Sequence, residues 1–174
     1  MQLNSYIRTI QDFPVPGISF KDITPLLADA DALQYAVDRM LEQCEPMRPD
    51  VIVSVEARGF LLAAPMAYRL GKPLVPVRKQ GKLPYEKFST SYDLEYGTGT
   101  LQIHTDAISD GQRALIVDDL LATGGTVSAT AELVRECGGN IAGYAFLIEL
   151  SFLDGRNKLG GVDVDIVSLI TYDS

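Results

Sequence analysis

The sequence predicts an α/β domain with an open, mostly parallel, twisted sheet flanked by helices. The order of elements is the first reason. Short β-branched runs (Val51–Val55, Leu74–Val77, Arg113–Val117) alternate with segments of helical period, as in parallel crossover units. Size is the second. A chain of 174 residues fits one domain and can bury a core without metal or disulfide. Composition is the third: 47% apolar and 22% charged residues describe an ordinary globular protein, not a disordered or fibrous one. A single domain over 1–174 is expected, with no repeat and no linker.

Each element has its own signal. Residues 3–10 read as a short helix. Asp12 to Phe20 carries two prolines and a glycine, which forbid a regular helix. Asp31 is the expected cap of a helix through about Cys44, with the apolar stripe Leu33, Val37, Met40, Leu41 and Cys44. Val51–Val55 reads as a buried strand. Phe60–Leu70 reads as a helix closed by Gly71, although Pro65 predicts either a kink or a later start. Leu74–Val77 is the next strand.

Gln80–Gly99 is polar, carries three glycines and four Tyr or Phe residues, and lacks sustained periodicity. It reads as a long mobile excursion with a hairpin, a candidate lid over about 80–99, with Thr100–His104 as its returning strand. Arg113–Val117 is the clearest strand. Thr126–Cys137 reads as a helix ended by Gly138-Gly139. Ile141–Leu150 and Val162–Leu169 complete the expected sheet.

Charge and composition exclude several partners. The net charge is −8, which makes a poor general nucleic-acid binder. The segment Arg78–Lys87 nonetheless holds Arg78, Lys79, Lys82 and Lys87 against one acid, Glu86, for a local charge of +3. A basic island on an acidic body suits a small polyanion better than a duplex. The longest dense apolar stretch, Phe60–Tyr68, is too short to cross a bilayer, and Met1–Ser5 lacks a secretory pattern. Cys44 and Cys137 are far apart and match no metal spacing. These features predict a cytoplasmic protein with reduced thiols and no membrane partner.

The stretch that carries chemistry is Asp118-Asp119-Leu120-Leu121-Ala122-Thr123-Gly124-Gly125-Thr126. It follows an apolar strand and precedes a helix, and in open α/β sheets ligands sit beyond the carboxyl ends of strands. The glycines let the backbone turn tightly and approach an anion. The helix beyond them aims free N–H groups and a positive dipole end at the same spot. Carboxylate acceptors on one side and a phosphate cradle on the other match the polarity of a sugar phosphate. An acid pair after a strand also occurs in P-loop nucleotidases, but Gly-x-x-x-x-Gly-Lys-Ser/Thr is missing from the chain.

Val117–Thr126 resembles the 5-phosphoribosyl 1-pyrophosphate (PRPP) signature of type I phosphoribosyltransferases. Phe13–Ile23, Glu56–Phe60, Arg78–Pro84 and Ser91–Gly97 resemble, in order, segments of the adenine branch of that family. The likeness runs from about residue 6 to the end of the chain. It implies the type I phosphoribosyltransferase fold, with a small N-terminal hood over about 1–30 and a mobile lid. It implies transfer of the 5-phosphoribosyl group from PRPP to adenine, giving AMP and pyrophosphate.

Roles follow from the resemblance residue by residue. Asp118 and Asp119 bind the ribose hydroxyls, and their charge also favours a cationic ribose. Ala122, Thr123, Gly124, Gly125 and Thr126 form the 5-phosphate loop. Arg58 belongs to the pyrophosphate loop Glu56–Gly59, where a non-proline cis peptide is expected near Glu56-Ala57. Arg78, Lys79 and Lys82 meet the pyrophosphate. Glu95 is the acid–base residue at purine N7, and Tyr96 packs the closed lid. Phe20 stacks on adenine while the backbone of Ser19 and Lys21 reads its edge. At Ser19 and Lys21 the family more often has an apolar residue and Arg, changes that main-chain contacts tolerate. Magnesium is implied as the ion chelated by pyrophosphate, with no protein metal set of its own, and a homodimer is implied as the assembly. His104, the only histidine, matches no motif and reads as structural, as do the two cysteines. Two competing readings are another base-specific type I transferase, differing at Phe13–Lys21, and a ligand-sensing nucleic-acid regulator on the same fold.

Overall fold

The computed structural model describes residues 1–93, 98–160 and 164–174. The chain divides into two compact units, Met1–Arg39 and Met40–Ser174.

The first unit opens with a 3-10 turn at Leu3–Tyr6. Strand β1 (Arg8–Gln11) and strand β2 (Ser19–Asp22) then pair antiparallel, from Arg8 opposite Asp22 to Gln11 opposite Ser19. The helix expected over residues 3–10 is therefore a turn followed by a strand. Its ladder partner lies about ten residues on, beyond any local periodicity. The connection carries a cis Phe13-Pro14 bond, and Asp12 and Gly17 both have positive φ. The Asp12 carboxylate accepts the Gly17 N–H at 2.7 Å, and the Phe13 and Phe20 rings meet edge to face at 5.1 Å. Helix α1 (Thr24–Ala28) starts where Asp22 accepts the Thr24 N–H and hydroxyl at 2.9 and 2.8 Å. Helix α2 (Ala30–Cys44) is capped by Asp29, which accepts the Ala32 N–H at 2.9 Å. The cap predicted at Asp31 is thus displaced by one that sits three residues before its donor, the usual N-cap spacing.

The second unit holds a seven-stranded sheet in the order β5-β6-β4-β3-β7-β8-β9. Strand β3 (Val51–Val55) runs parallel to β4 (Leu74–Lys79) and to β7 (Arg113–Leu121). Strand β8 (Asn140–Leu150) joins β7, and β9 (Ile166–Tyr172) joins β8, both parallel. Helix α3 (Gly59–Leu70) connects β3 to β4, and helix α4 (Gly125–Glu136) connects β7 to β8. The α3 helix runs through Pro65 and stops at Gly71, whose φ of 61° lets the last carbonyls be capped. Every residue of β3 is buried, as expected of a strand covered on both faces. Val53, Val55, Ile116, Val127, Leu133, Tyr144 and Phe146 belong to one continuous core.

Two regions depart from the sequence expectation. Gln80–Gly99 contains the expected hairpin but is more regular than its lack of periodicity suggested: β5 (Lys87–Asp93) pairs antiparallel with β6 (Thr98–His104) from Lys87 opposite His104 to Asp93 opposite Thr98. The sequence there is rich in Ser, Thr, Tyr and Phe, which favour strands; one face packs on the core through Phe88, Tyr92, Leu101 and Ile103, but the Ser, Thr and Gly residues among them mask the apolar alternation. The expected last strand at Val162–Leu169 begins instead at Ile166, and its first two residues lie outside the described ones.

Candidate active site

Sheet order sets the site. From β3 the chain crosses to β4 on one side, and from β7 it crosses to β8 on the other. The seam between β3 and β7 is therefore the switch point, where connections diverge and leave a crevice. Pairing of β3 with β7 ends at Ser54 opposite Val117, yet β7 continues to Leu121 along β8. Asp118 and Asp119 thus lie within β7, not beyond it as the sequence placed them. They are open to the crevice because β3 has already turned away. The buried Ser54 hydroxyl donates to the Val117 carbonyl at 2.7 Å and closes the seam just below.

A cavity of about 400 Å³ occupies this crevice. Its lining brings together Arg58, Lys79, Asp118, Asp119 and the whole Ala122–Thr126 loop, with Glu56 and Tyr92. On one wall, the Glu56-Ala57 peptide is cis, and Gly59 begins α3 against β7. A Cβ on Gly59 would come within 2.7 Å of Asp118 Oδ1 and 2.6 Å of Ser54 Oγ, so only glycine permits this approach.

The carboxylates are an unequal pair. Asp119 is buried, with Arg58 Nε 3.0 Å from its Oδ2. Asp118 is half-buried and accepts the backbone N–H of Asp119 at 2.9 Å. Burial, and then the neighbouring Asp119 charge, push the Asp118 carboxyl well above its ordinary value. Burial also raises Asp119, against the opposing pull of Arg58.

Opposite them, α4 presents its N-terminus. Its cap residue, Gly124, has a φ of 80°, a conformation that suits glycine. The first-turn amides of a helix have no intrahelical acceptors and carry the positive end of its dipole. The Thr123 and Thr126 hydroxyls flank them at the cavity wall. This combination can hold a phosphate group.

The basic side is less uniform. Arg78 is committed to Glu56, with Nε 3.0 Å from Oε2, and the Lys79 N–H donates to Glu56 Oε1 at 2.7 Å. Burial alone would raise the Glu56 carboxyl, but the hydrogen bonds from Lys79 and Arg78 and the Arg78 charge hold it below its usual value. Arg78 and Lys82 are not among the lining residues, whereas Lys79 is. Glu56 and Tyr92 were not assigned roles from the sequence. An acid one residue past a buried strand, followed later by a basic island, was the available signal for Glu56. Tyr92 folds across Gly99, its partner on β6, where a Cβ would come within 2.6 Å of the ring.

Ser19, Phe20 and Lys21 belong to the first unit, on β2. There Ser19 is exposed, Phe20 half-buried and Lys21 buried, with Lys21 Nζ donating to Thr9 Oγ1 at 3.2 Å. Glu95 and Tyr96 lie outside the described residues. Cys44 is a buried thiol pushed up to about 12 by burial, and Cys137 is also free. The His104 ring meets Tyr85 edge to face at 5.9 Å.

The fold and cavity define an α/β protein whose parallel-sheet switch point carries an acid pair facing a helix N-terminus. Residues 25–170 match the model of the phosphoribosyl transferase domain. The adenine phosphoribosyltransferase of Desulfitobacterium hafniense is 58% identical over 172 residues, covering 99% of this chain and 98% of the relative. The crystal structure of adenine phosphoribosyltransferase from Thermoanaerobacter pseudethanolicus superposes with a TM-score of 0.95 at 55% identity, over 98% of both chains. That of the Saccharomyces cerevisiae enzyme, complexed with an imino-altritol bisphosphate and adenine, gives 0.89 at 37% identity, over 97% of this chain and 96% of that one. The chain belongs to the adenine phosphoribosyltransferase family.

Proposed function

We infer that this chain transfers the 5-phosphoribosyl group of PRPP to adenine, giving AMP and pyrophosphate. The carrying observation is the single cavity wall-to-wall with an acid pair, a helix N-terminus and two cations. Family membership at this identity names the base. In the reaction the C1–O bond to pyrophosphate breaks and its electron pair leaves with the pyrophosphate. The C1–N9 bond to adenine forms, and one proton leaves the base. The transition state carries positive charge on the ribose, and enzymes gain rate from interactions that strengthen there.

The residues divide that work. Ala122–Thr126 holds the 5-phosphate at the α4 N-terminus. Asp118 and Asp119 accept the ribose hydroxyls, and their charge offsets the developing cation. Arg58 and Lys79 face the departing pyrophosphate; Arg78 positions that side by holding Glu56, and Lys82 adds to the field. Glu95 and Tyr96 lie outside the described residues; in this reading Glu95 handles the proton at N7, Phe20 stacks on the base and the backbone of Ser19 and Lys21 reads its edge. Among the described residues no group of three His, Cys, Asp or Glu side chains could hold a metal. The hard carboxylate oxygens of Asp118 and Asp119, which line the cavity, are of the donor type magnesium takes, and in this reading the ion arrives with the pyrophosphate. The ion would neutralise the leaving group.

The assembly is a homodimer in this reading. Leu61 and Tyr68, two turns apart on α3, are 49% and 86% exposed, an apolar stripe that a second copy would cover. Sedimentation at micromolar concentration distinguishes dimer from monomer. No described helix is long and apolar enough to cross a membrane, and the free thiols agree with a cytoplasmic location.

The test is turnover of PRPP with magnesium and each of adenine, hypoxanthine, guanine and orotate. AMP forms from adenine alone if the reading holds; turnover of another base without adenine overturns it. Glu95→Gln lowers kcat by about 100-fold with little change in PRPP affinity, the signature of a lost proton-transfer group.

A further inference from the structure

The phosphate loop is backed by a part of the chain that none of the motifs includes. After β8 the chain makes a short 3-10 turn, Gly155–Leu159. Gly155 lies directly behind the loop. A Cβ there would collide with the Ala122 carbonyl, and a Cβ on Gly124 would come within 2.6 Å of the Gly155 carbonyl oxygen and 3.3 Å of Lys158 Cβ. The two glycines therefore stand back to back with no room for a side chain between them. Leu159 closes the turn in the same core cluster as Val127, in the first turn of α4.

The turn is bolted to the sheet by one residue. Arg156 Nε donates to Glu149 Oε1 at 2.6 Å and its Nη2 donates to Glu149 Oε2 at 2.7 Å, a two-pronged charge-assisted pair. The same guanidinium reaches the Ile166 carbonyl at 3.3 Å and Ser168 Oγ at 3.4 Å on β9. Glu149 is buried, and its register partner on β7 is Leu121, the residue that leads into the loop. The bolt is thus fixed beside the loop's entry and ends at the loop's rear wall.

We propose that Gly155–Leu159 is the back wall of the 5-phosphate loop, and that Glu149 and Arg156 are positioning residues setting affinity for the phosphorylated sugar. This rests on reading Ala122–Thr126 as the 5-phosphate loop. The loop gains its rigidity from behind, so its amides are already aimed when the phosphate arrives. Loosening the wall costs affinity for 5-phosphorylated ligands and leaves binding of the free base unchanged.

The test uses the full-length chain with Arg156→Lys, which keeps the charge but loses the fork, Arg156→Met, which loses both, and Gly155→Ala. Ribose 5-phosphate and AMP binding are measured by calorimetry, with KM for PRPP, KM for adenine and kcat alongside. The expected result is a graded loss: KM for PRPP and Kd for ribose 5-phosphate rise about threefold for Lys and about tenfold or more for Met and Ala. KM for adenine and kcat stay within about twofold. A merely structural role would lower the active fraction, and so apparent kcat, without moving the PRPP and ribose 5-phosphate constants. That result overturns the proposal, as does unchanged phosphate affinity in Arg156→Met. If Arg156→Met fails to fold, Arg156→Lys decides by the same split. Wild-type protein that turns over PRPP but gains no binding from the 5-phosphate overturns the loop assignment and the proposal together.

Discussion

The two walls of the cavity are built differently. The seam between β3 and β7 lies in the centre of the sheet, and its groups are buried or held: Asp119 by Arg58, Gly59 against Asp118, Gly124 against Gly155. The other wall comes from the end of β4, toward the sheet edge, where Lys79 and Lys82 are exposed and Arg78 is spent on Glu56. The central wall is preorganised, its desolvation met during folding. The edge wall offers exposed lysines, of which Lys79 lines the cavity and Lys82 does not. In the proposed reading the sugar phosphate meets the fixed wall, and the pyrophosphate meets Arg58 from that wall and Lys79 from the exposed one.

The strongest way to break this contrast is Asp118→Asn. It lowers kcat/KM for PRPP by about 100-fold or more, because a carboxylate facing the cationic ribose is removed. The same change stabilises the fold. A carboxyl whose folded pKa is raised favours folding below the ordinary carboxylate range and loses that contribution as pH rises through the raised value. At pH 7 removing the charge therefore raises Tm, by about 2–4 °C for each kcal/mol recovered. A thermal melt beside a rate assay checks both signs; a Tm that falls contradicts the desolvated-acid account.

Glu56→Gln is next, on the edge wall. It keeps an acceptor for the Lys79 N–H but loses the charge that holds Arg78, and pyrophosphate affinity changes by about three- to tenfold. Glu56 is a lowered carboxyl, so its stabilising contribution is present above its ordinary pKa and disappears as pH falls through the depressed folded value. Pyrophosphate inhibition that depends on Glu56 is accordingly flat from pH 8 to about pH 5. A titration near neutrality in wild type that Glu56→Gln abolishes would count against it.

The smallest effect is expected at Lys82. As an exposed residue outside the cavity lining, it acts by screening-sensitive attraction. Lys82→Ala raises KM for PRPP about two- to threefold at low salt, and the difference vanishes near 0.5 M salt. A salt-independent rise of about tenfold or more would place Lys82 in direct contact instead.

How far the sequence revealed this depends on whether a signal is local. The acid pair, glycines and helix start of Asp118–Thr126 are contiguous, so their grouping at one cavity was readable, as were β3 and the glycine stop of α3. Asp118 and Asp119 were misplaced relative to their strand because the end of a strand is set by its neighbours. β7 outruns β3 on one side while staying paired to β8 on the other. The hairpin in Gln80–Gly99 was expected, but the extent of β5 was not, because Ser and Thr separate its core-facing Phe88 and Tyr92; β1 was missed because its partner lies across a proline-rich turn. Glu149 and Arg156 carried no motif. Only the fold brings their fork beside the loop.

Gly99 has a consequence for the width of the pocket. The bare backbone there is where the Tyr92 ring rests, and that ring forms part of the cavity lining. Any side chain at 99 would dislodge the aromatic from its seat and redraw the outline of the chamber. A position that lines nothing itself thereby calibrates how large a guest the chamber admits, and a designer wishing to resize it would begin there.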